Sequence, residues 1–276
     1  MNIYCSALLL LSGLMPMMAL TASASTTHEF SLENGLKVVV REDHRAPVTT
    51  SQLWFKVGSS QEPPGQSGLS HALEHMLYQG SSKTCAGETS AILERLGAAE
   101  NAFTSNDYTT YHQTLAPDRL GVSFELMADL MTTAHLRTDA FATEIEVIKQ
   151  ERRERTDDVP HGLAMERLQA IAFPSSAQAT PTIGWMHDLQ RMSAPQLREW
   201  YQRWYAPNNA TLVIAGDVRL DQIKPVVERY FGGIPRKTLP EVYAPLALAE
   251  PGERTITLHQ AIHAPQLLMS FNLRSL

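Results

Sequence analysis

Apolar residues alternate with polar ones along some stretches of the chain and recur every three or four positions along others. Alternation runs from Phe30 to Arg41 and breaks at Asn34-Gly35, a pair suited to a tight hairpin, with Leu36-Lys37-Val38-Val39-Val40 as the second strand. Thr49 to Val57 predicts another strand with Leu53, Phe55 and Val57 on one face, and Asn101 to Leu115 predicts one or two more, rich in Thr and Tyr. Ala210 to Ala215 is an uninterrupted run of the kind a buried strand shows. Helical spacing begins near Ser67, the expected cap, and again from Gly87 to Leu96, ending at Gly97. Pro117 to His135 carries the stripe Leu120, Phe124, Met127 and Met131. Asp139 to about Asp157 predicts a long charged helix, Pro195 to Tyr205 a helix with Trp200 and Trp204, and Leu220 to Phe231 a last one closed by Gly232-Gly233.

Residues 235–253 hold four prolines and little periodicity, which predicts an interdomain linker. Beyond it, Thr255 to Leu258 and Gln266 to Leu273 read as strands of something new. A faint repeat supports this: strand, loop with Ala-Pro, strand occurs around Ala46-Pro47 and again around Ala264-Pro265. At the other end, Ala7 to Leu20 is apolar except at Ser12, Gly13 and Pro16, and Ala22-Ser23-Ala24 follows as a small-x-small site. Residues 1–24 are therefore expected to be a secretory signal, although no Lys or Arg precedes the apolar run. A membrane anchor is the competing reading; the stretch is short for one and holds Gly and Pro.

Charge and cysteine content narrow the function classes. With 23 Lys+Arg against 29 Asp+Glu and no basic stripe, nucleic acid is not an expected partner. Cys5 would leave with the signal, so the mature chain keeps only Cys85 and forms no internal disulfide. Export without a disulfide fits a bacterial periplasm. Cys85, with no base partner in view, is expected to be a small buried residue.

The most informative chemistry is His71-Ala72-Leu73-Glu74-His75. Residues four apart on a helix lie nearly above one another, so two imidazoles can hold one metal ion. Glu74 lies beside them, within reach of a water at that metal. This H-x-x-E-H order is the inverzincin motif, and its parts are two ligands and a carboxylate base. Most other histidines, among them His28, His44, His135, His161 and His187, read as ordinary surface or loop residues. Zinc with an open fourth position needs a third protein ligand. Glu144 and Glu151, two turns apart on the charged helix with Val147 and Ile148 between them, are the candidates; a solvated charged face is the alternative, which Arg152, Arg153, Glu154 and Arg155 suit. Asn101-Ala102-Phe103-Thr104 reads either as a core strand or as an edge strand that captures an extended peptide. No G-x-S-x-G elbow is present, and Gly80-Ser81-Ser82-Lys83-Thr84 lacks the glycine a phosphate loop needs before its lysine.

Taken together, these residues resemble the pitrilysin/insulinase family of zinc peptidases, and most of all its shorter bacterial members related to mitochondrial processing peptidase. The resemblance runs from about residue 28 to 276: Gly68 through Leu77, Asn101-Ala102-Phe103-Thr104, Glu144 with Glu151, Tyr205 through Val218, and Tyr230-Phe231-Gly232 occur in the family's order. It implies that His71, His75 and Glu151 bind one Zn2+ per chain. It implies that Glu74 is the general base, and that Glu144 is a carboxylate touching a ligand rather than the metal. Substrate would be added as a strand near Asn101 and Ala102. The implied fold is α+β, a mixed β-sheet with helices on one face, occupying residues 25–234, followed by the linker and, from 254 to 276, the first strands of an incomplete second copy. That second copy carries Arg and Tyr contacts to substrate in the family, and no residue here takes those roles.

Three functions are then open. The chain is expected to be a zinc endopeptidase acting on short or extended peptides, without stable membrane insertion once the signal is cleaved. It could instead be a zinc-binding subunit, inactive alone, that needs a partner chain to complete the chamber. A peptide-binding module with a structural metal is the third.

Overall fold

The computed structural model describes residues 26–241 and 252–271. The expected signal, and residues 242–251 of the expected linker, lie outside the described residues. Among the described residues six strands form: β1 (Thr27–Ser31), β2 (Lys37–Glu42), β3 (Thr49–Phe55), β4 (Ala99–Thr104), β5 (Thr109–Leu115) and β6 (Ala210–Gly216). They make one mixed sheet in the order β1-β2-β6-β3-β5-β4, with β2 and β6 parallel and every other pair antiparallel. The fold is thus the α+β architecture expected.

One cross-strand row shows how the alternation sets the inner face. Phe30, Val38, Leu212, Leu53, Tyr111 and Ala102 are successive partners across the sheet. Val38, Leu212, Leu53 and Tyr111 are fully buried, while Val39, Val213, Gln52, Trp54 and His112, on the other face, are only half-buried. Because period-2 alternation fixes the face of each residue, Thr104 lies on the same side as Ala102.

Eight helices form among the described residues, and six of them follow the sequence pattern. The eight are α1 (Leu69–Met76), α2 (Glu88–Arg95), α3 (Leu120–Thr133), α4 (Thr138–Arg152), α5 (Pro160–Ala172), α6 (Met186–Leu189), α7 (Ala194–Trp204) and α8 (Leu220–Phe231). Leu73 and Met76 of α1, Phe124 and Met127 of α3, Ile145 and Ile148 of α4, Leu197 and Trp200 of α7, and Val227 and Phe231 of α8 join the inner face of the sheet in one core. Directly after α4 the backbone widens into a π-helical turn, Arg153–Asp157. Arg152 sits at that junction with its side chain only 3% exposed. Its guanidinium donates to Glu166 at 2.7 and 3.1 Å, to the Gly184 carbonyl at 2.8 Å and to Asp157 at 3.1 Å.

Four departures from the sequence reading concern the elements themselves. Ser67 does not cap α1: the capping position is Gly68, in the left-handed region at φ 90°, and the Ser67 hydroxyl instead donates to buried Asp188 at 2.6 Å. Two buried backbone donors at the start of α1 are taken by Glu62, whose carboxylate accepts from the N–H groups of Gly68 and Ser70, both at 2.7 Å. Cys85 is exposed rather than buried, because it sits in the loop ahead of α2, where its backbone N–H donates to Glu88. Residues 255–258 and 266–271 run without strand pairing, since a strand exists only with a hydrogen-bonded neighbour. Finally, α5 and the segment up to α6 were not predicted; the apolar residues of α5 are all no more than half-buried, so no sharp stripe marks it.

Candidate metal centre

Two elements bring the site together. On α1, His71 and His75 stand one turn apart with ring centroids 4.7 Å from each other. On α4, residues 141, 145, 148 and 152 form the buried stripe. At about 100° per residue, Glu144 and Glu151 fall on one edge of that stripe, while Val147 falls further round. Val147 is accordingly 47% exposed and not part of an inward face with Ile148, contrary to the sequence reading.

Glu151 Oε2 lies 3.4 Å from His75 Nε2 and 3.7 Å from His71 Nε2. Ligand atoms at about 2.1 Å from a tetrahedral zinc are separated by about 3.4 Å, so the three donors have the spacing the ion needs. Among the described residues, His71, His75 and Glu151 are the one group of this kind that could hold a metal. Their charge states also fit. Burial, with His75 close by, pushes His71 down to about 4, which leaves a neutral imidazole with a free lone pair at neutral pH. The hydrogen bond with His75, reinforced by His71 and Arg155, holds the Glu151 carboxyl below the usual carboxylate range. Burial presses His75 down as well, but Glu151, Glu144 and Glu74 outweigh it and the net shift is upward, so a proton and a metal compete for this ring. Two imidazoles and a carboxylate suit zinc and its transition-metal neighbours.

The surrounding contacts are unequal. Glu144 reaches His75 Nδ1 at 3.4 Å with one oxygen and accepts from Gln79 at 2.8 Å with the other. His71 Nδ1 is buried with no partner among the described residues. The second oxygen of Glu151 is held by Arg155 at 2.6 Å, from the π-helical turn. Glu74 is half-buried beside His75, and burial raises its carboxyl even though Thr104 donates to its Oε2 at 2.5 Å. Asn101 and Ala102 lie on β4, the edge strand of the sheet, so they are not in a core strand. The Ala102 N–H is turned to the free edge, where the Asn101 carboxamide oxygen accepts it at 2.9 Å. Thr104, Arg155 and Gln79 carry no motif signal; Thr104 and Arg155 lie within segments the sequence marked, with nothing there to single them out, and Gln79 lies outside them.

Comparison with known proteins identifies the family. Residues 37–184 match the family model described as insulinase (peptidase family M16), and residues 191–276 match the one described as the peptidase M16 inactive domain. The second match begins upstream of α7 and so includes β6, which the structure places in the middle of the first sheet. The chain is 32% identical over 237 residues to the zinc protease PqqE of Helicobacter pylori, covering 83% of this chain and 52% of that protein. The crystal structure of a protease from Helicobacter pylori superimposes with a TM-score of 0.77 at 31% identity, over 80% of this chain and 54% of that one. The periplasmic protease PqqL from Escherichia coli shares the fold, with a TM-score of 0.76 at 23% identity over 81% of this chain and 26% of that one. The chain spans about half the length of the curated relatives it matches. A His-His-Glu group able to hold a metal lies on two helices beside an edge strand, and the match of residues 37–184 to that family model makes this protein a member of the insulinase family of peptidases, family M16.

Proposed function

We propose that this chain is the metal-bearing part of a zinc endopeptidase that cleaves short or extended peptides. The observation that carries the reading is the convergence of His71, His75 and Glu151 within 4.8 Å, with Glu74 beside them. His71 Nε2, His75 Nε2 and Glu151 Oε2 would hold one Zn2+, and Glu144 would orient the ring of His75 through Nδ1. When bound, zinc acidifies a water to a pKa of about 7 and polarises the scissile carbonyl. Glu74 takes the water's proton on the oxygen that Thr104 leaves free, and delivers it to the departing amine. The peptide would add as a strand along β4, its carbonyl replacing the Asn101 carboxamide at the Ala102 N–H.

Metal analysis and peptide hydrolysis test this together. Wild type and Glu74→Gln should each carry one zinc, and His71→Ala none. Glu74→Gln should lose about 10²- to 10⁴-fold in turnover. A Gln variant as fast as wild type would overturn the assignment of Glu74.

One observation favours a second reading, a zinc-binding subunit that works only with a partner chain. Leu267, Met269 and Phe271 alternate along the last described stretch and are 84, 66 and 73% exposed, a row of apolar side chains without cover. Peptidase activity that appears only on mixing with a second protein would support it, and robust turnover by this chain alone would remove it. We also place the mature protein in the periplasm, on the strength of residues 1–24; N-terminal sequencing of the exported protein should begin at Ser25. Among the described residues, no helix is long and apolar enough to cross a membrane.

A further inference from the structure

We infer that Thr104 is a positioning residue for Glu74, and that it ties the orientation of the base to the strand along which substrate is added. The inference rests on the proposed role of Glu74. A glutamate has three side-chain torsions, and a helix backbone fixes none of the outer two. Something else must hold the carboxylate if one oxygen is to face the reacting water. The Thr104 hydroxyl meets that need: it donates to Oε2 at 2.5 Å, across 30 residues of chain, from a half-buried position.

Three features make the contact specific. Thr104 is the last residue of β4, and alternation along that strand puts Thr104 on the same side as Ala102 while Asn101 and Phe103 face the other way. The threonine is β-branched, so its χ1 has few choices and the hydroxyl direction is set by the strand. An ionised carboxylate only accepts, so the hydroxyl proton must point at Oε2. When Glu74 takes a proton, it therefore goes to Oε1, the oxygen that the Thr104 hydroxyl leaves free. The donor on Oε2 is kept throughout the cycle.

The consequence is mechanical. β4 is the free edge of the sheet, and its pairing with β5 fixes Thr104 opposite Thr109. A peptide aligned on that edge and the hydroxyl that holds the base then share one rigid element, so the distance between peptide and hydroxyl does not depend on a loop. Sequence spacing does not show this, because Thr104 and Glu74 meet only once the sheet edge is docked on α1.

Thr104→Val keeps the branched shape and removes the donor, while Thr104→Ser keeps the donor. For Thr104→Val we expect one bound zinc, a KM within about 2-fold of wild type and a kcat lower by about 10- to 100-fold, the range for losing a hydrogen bond to a charged group. Thr104→Ser should recover most of the loss. In the Glu74→Gln background, Thr104→Val should cost nothing further. Crystal structures of the zinc-free variants provide a readout independent of turnover: the Glu74 carboxylate should occupy one orientation in wild type and Thr104→Ser, and several in Thr104→Val. Urea unfolding confirms that each variant is folded. An unmoved carboxylate together with unchanged kcat in Thr104→Val overturns the role of Thr104. A fully active Glu74→Gln overturns the base assignment instead, so the two failures are told apart.

Discussion

Replacing Arg152 by Met should destabilise the protein out of proportion to the small change in volume. The guanidinium is buried and makes four hydrogen bonds, two to Glu166, one to Asp157 and one to the Gly184 carbonyl. Asp157 is partly exposed and can turn to water, but Glu166 is 6% exposed and cannot. Met would fill the space and leave that carboxylate without a counter-charge, which costs about 3–5 kcal/mol. Against a typical stability of about 5–15 kcal/mol this is a large fraction. With a urea m-value of about 2–3 kcal/mol/M, the unfolding midpoint should fall by about 1.5 M. The double variant Arg152→Met/Glu166→Leu removes both charges and should regain most of the loss. Arg152 follows Glu151 directly and anchors the π-helical turn that carries Arg155, so zinc affinity should fall in the single variant and return in the double. A single variant within about 1 kcal/mol of wild type, or a double no better than the single, would refute the view that this ion pair holds the end of α4.

Two further outcomes follow from the start of α1. Burial pushes Glu62 up to about 7, so its contribution to stability is fully present below the ordinary carboxylate value and is lost as pH rises through about 7. Urea unfolding at pH 5 and pH 8 should show wild type losing about 3 kcal/mol relative to Glu62→Gln across that interval; parallel pH profiles would count against it. Gly68→Ala should cost about 2–5 kcal/mol, since φ is 90° and a Cβ would lie 2.8 Å from the Ile183 carbonyl and 2.9 Å from Leu189 Cδ2. Thermal unfolding of Gly68→Ala at the wild-type midpoint would show the packing to be looser than described.

Local features were legible in the sequence because they depend on local physics. Leu53, Phe55 and Val57 share a buried face because strand alternation demands it, and Gly97 ends α2 in the left-handed conformation that glycine tolerates. His71 and His75 meet because one helical turn brings them together. What depended on distant partners was not legible. The cap of α1 comes from Glu62 because that carboxylate reaches back over a loop, while Ser67 is drawn to Asp188. Val147 was misread because a stripe has edges, and only the packed helix shows which residues lie beyond them. The expected strands after residue 254 have no neighbour to pair with among the described residues. Thr104 meets Glu74 only through the docking of the sheet edge on α1.

The central position of β6 has a consequence for how the molecule forms. β2 and β3 are not paired with each other; each pairs with β6, as in Val38 with Leu212 and Leu53 with Leu212. Until residue 216 has left the ribosome, the β1–β2 hairpin and the three strands β3, β5 and β4 have no sheet in common. Closure over so long a separation is slow, and it leaves the unpaired edges of both halves open in the meantime. A nascent chain released before β6 is made would therefore hold two sticky fragments instead of a shortened domain, and pulse-labelling hydrogen exchange should find protection in β2 and β3 arriving together, in step with β6.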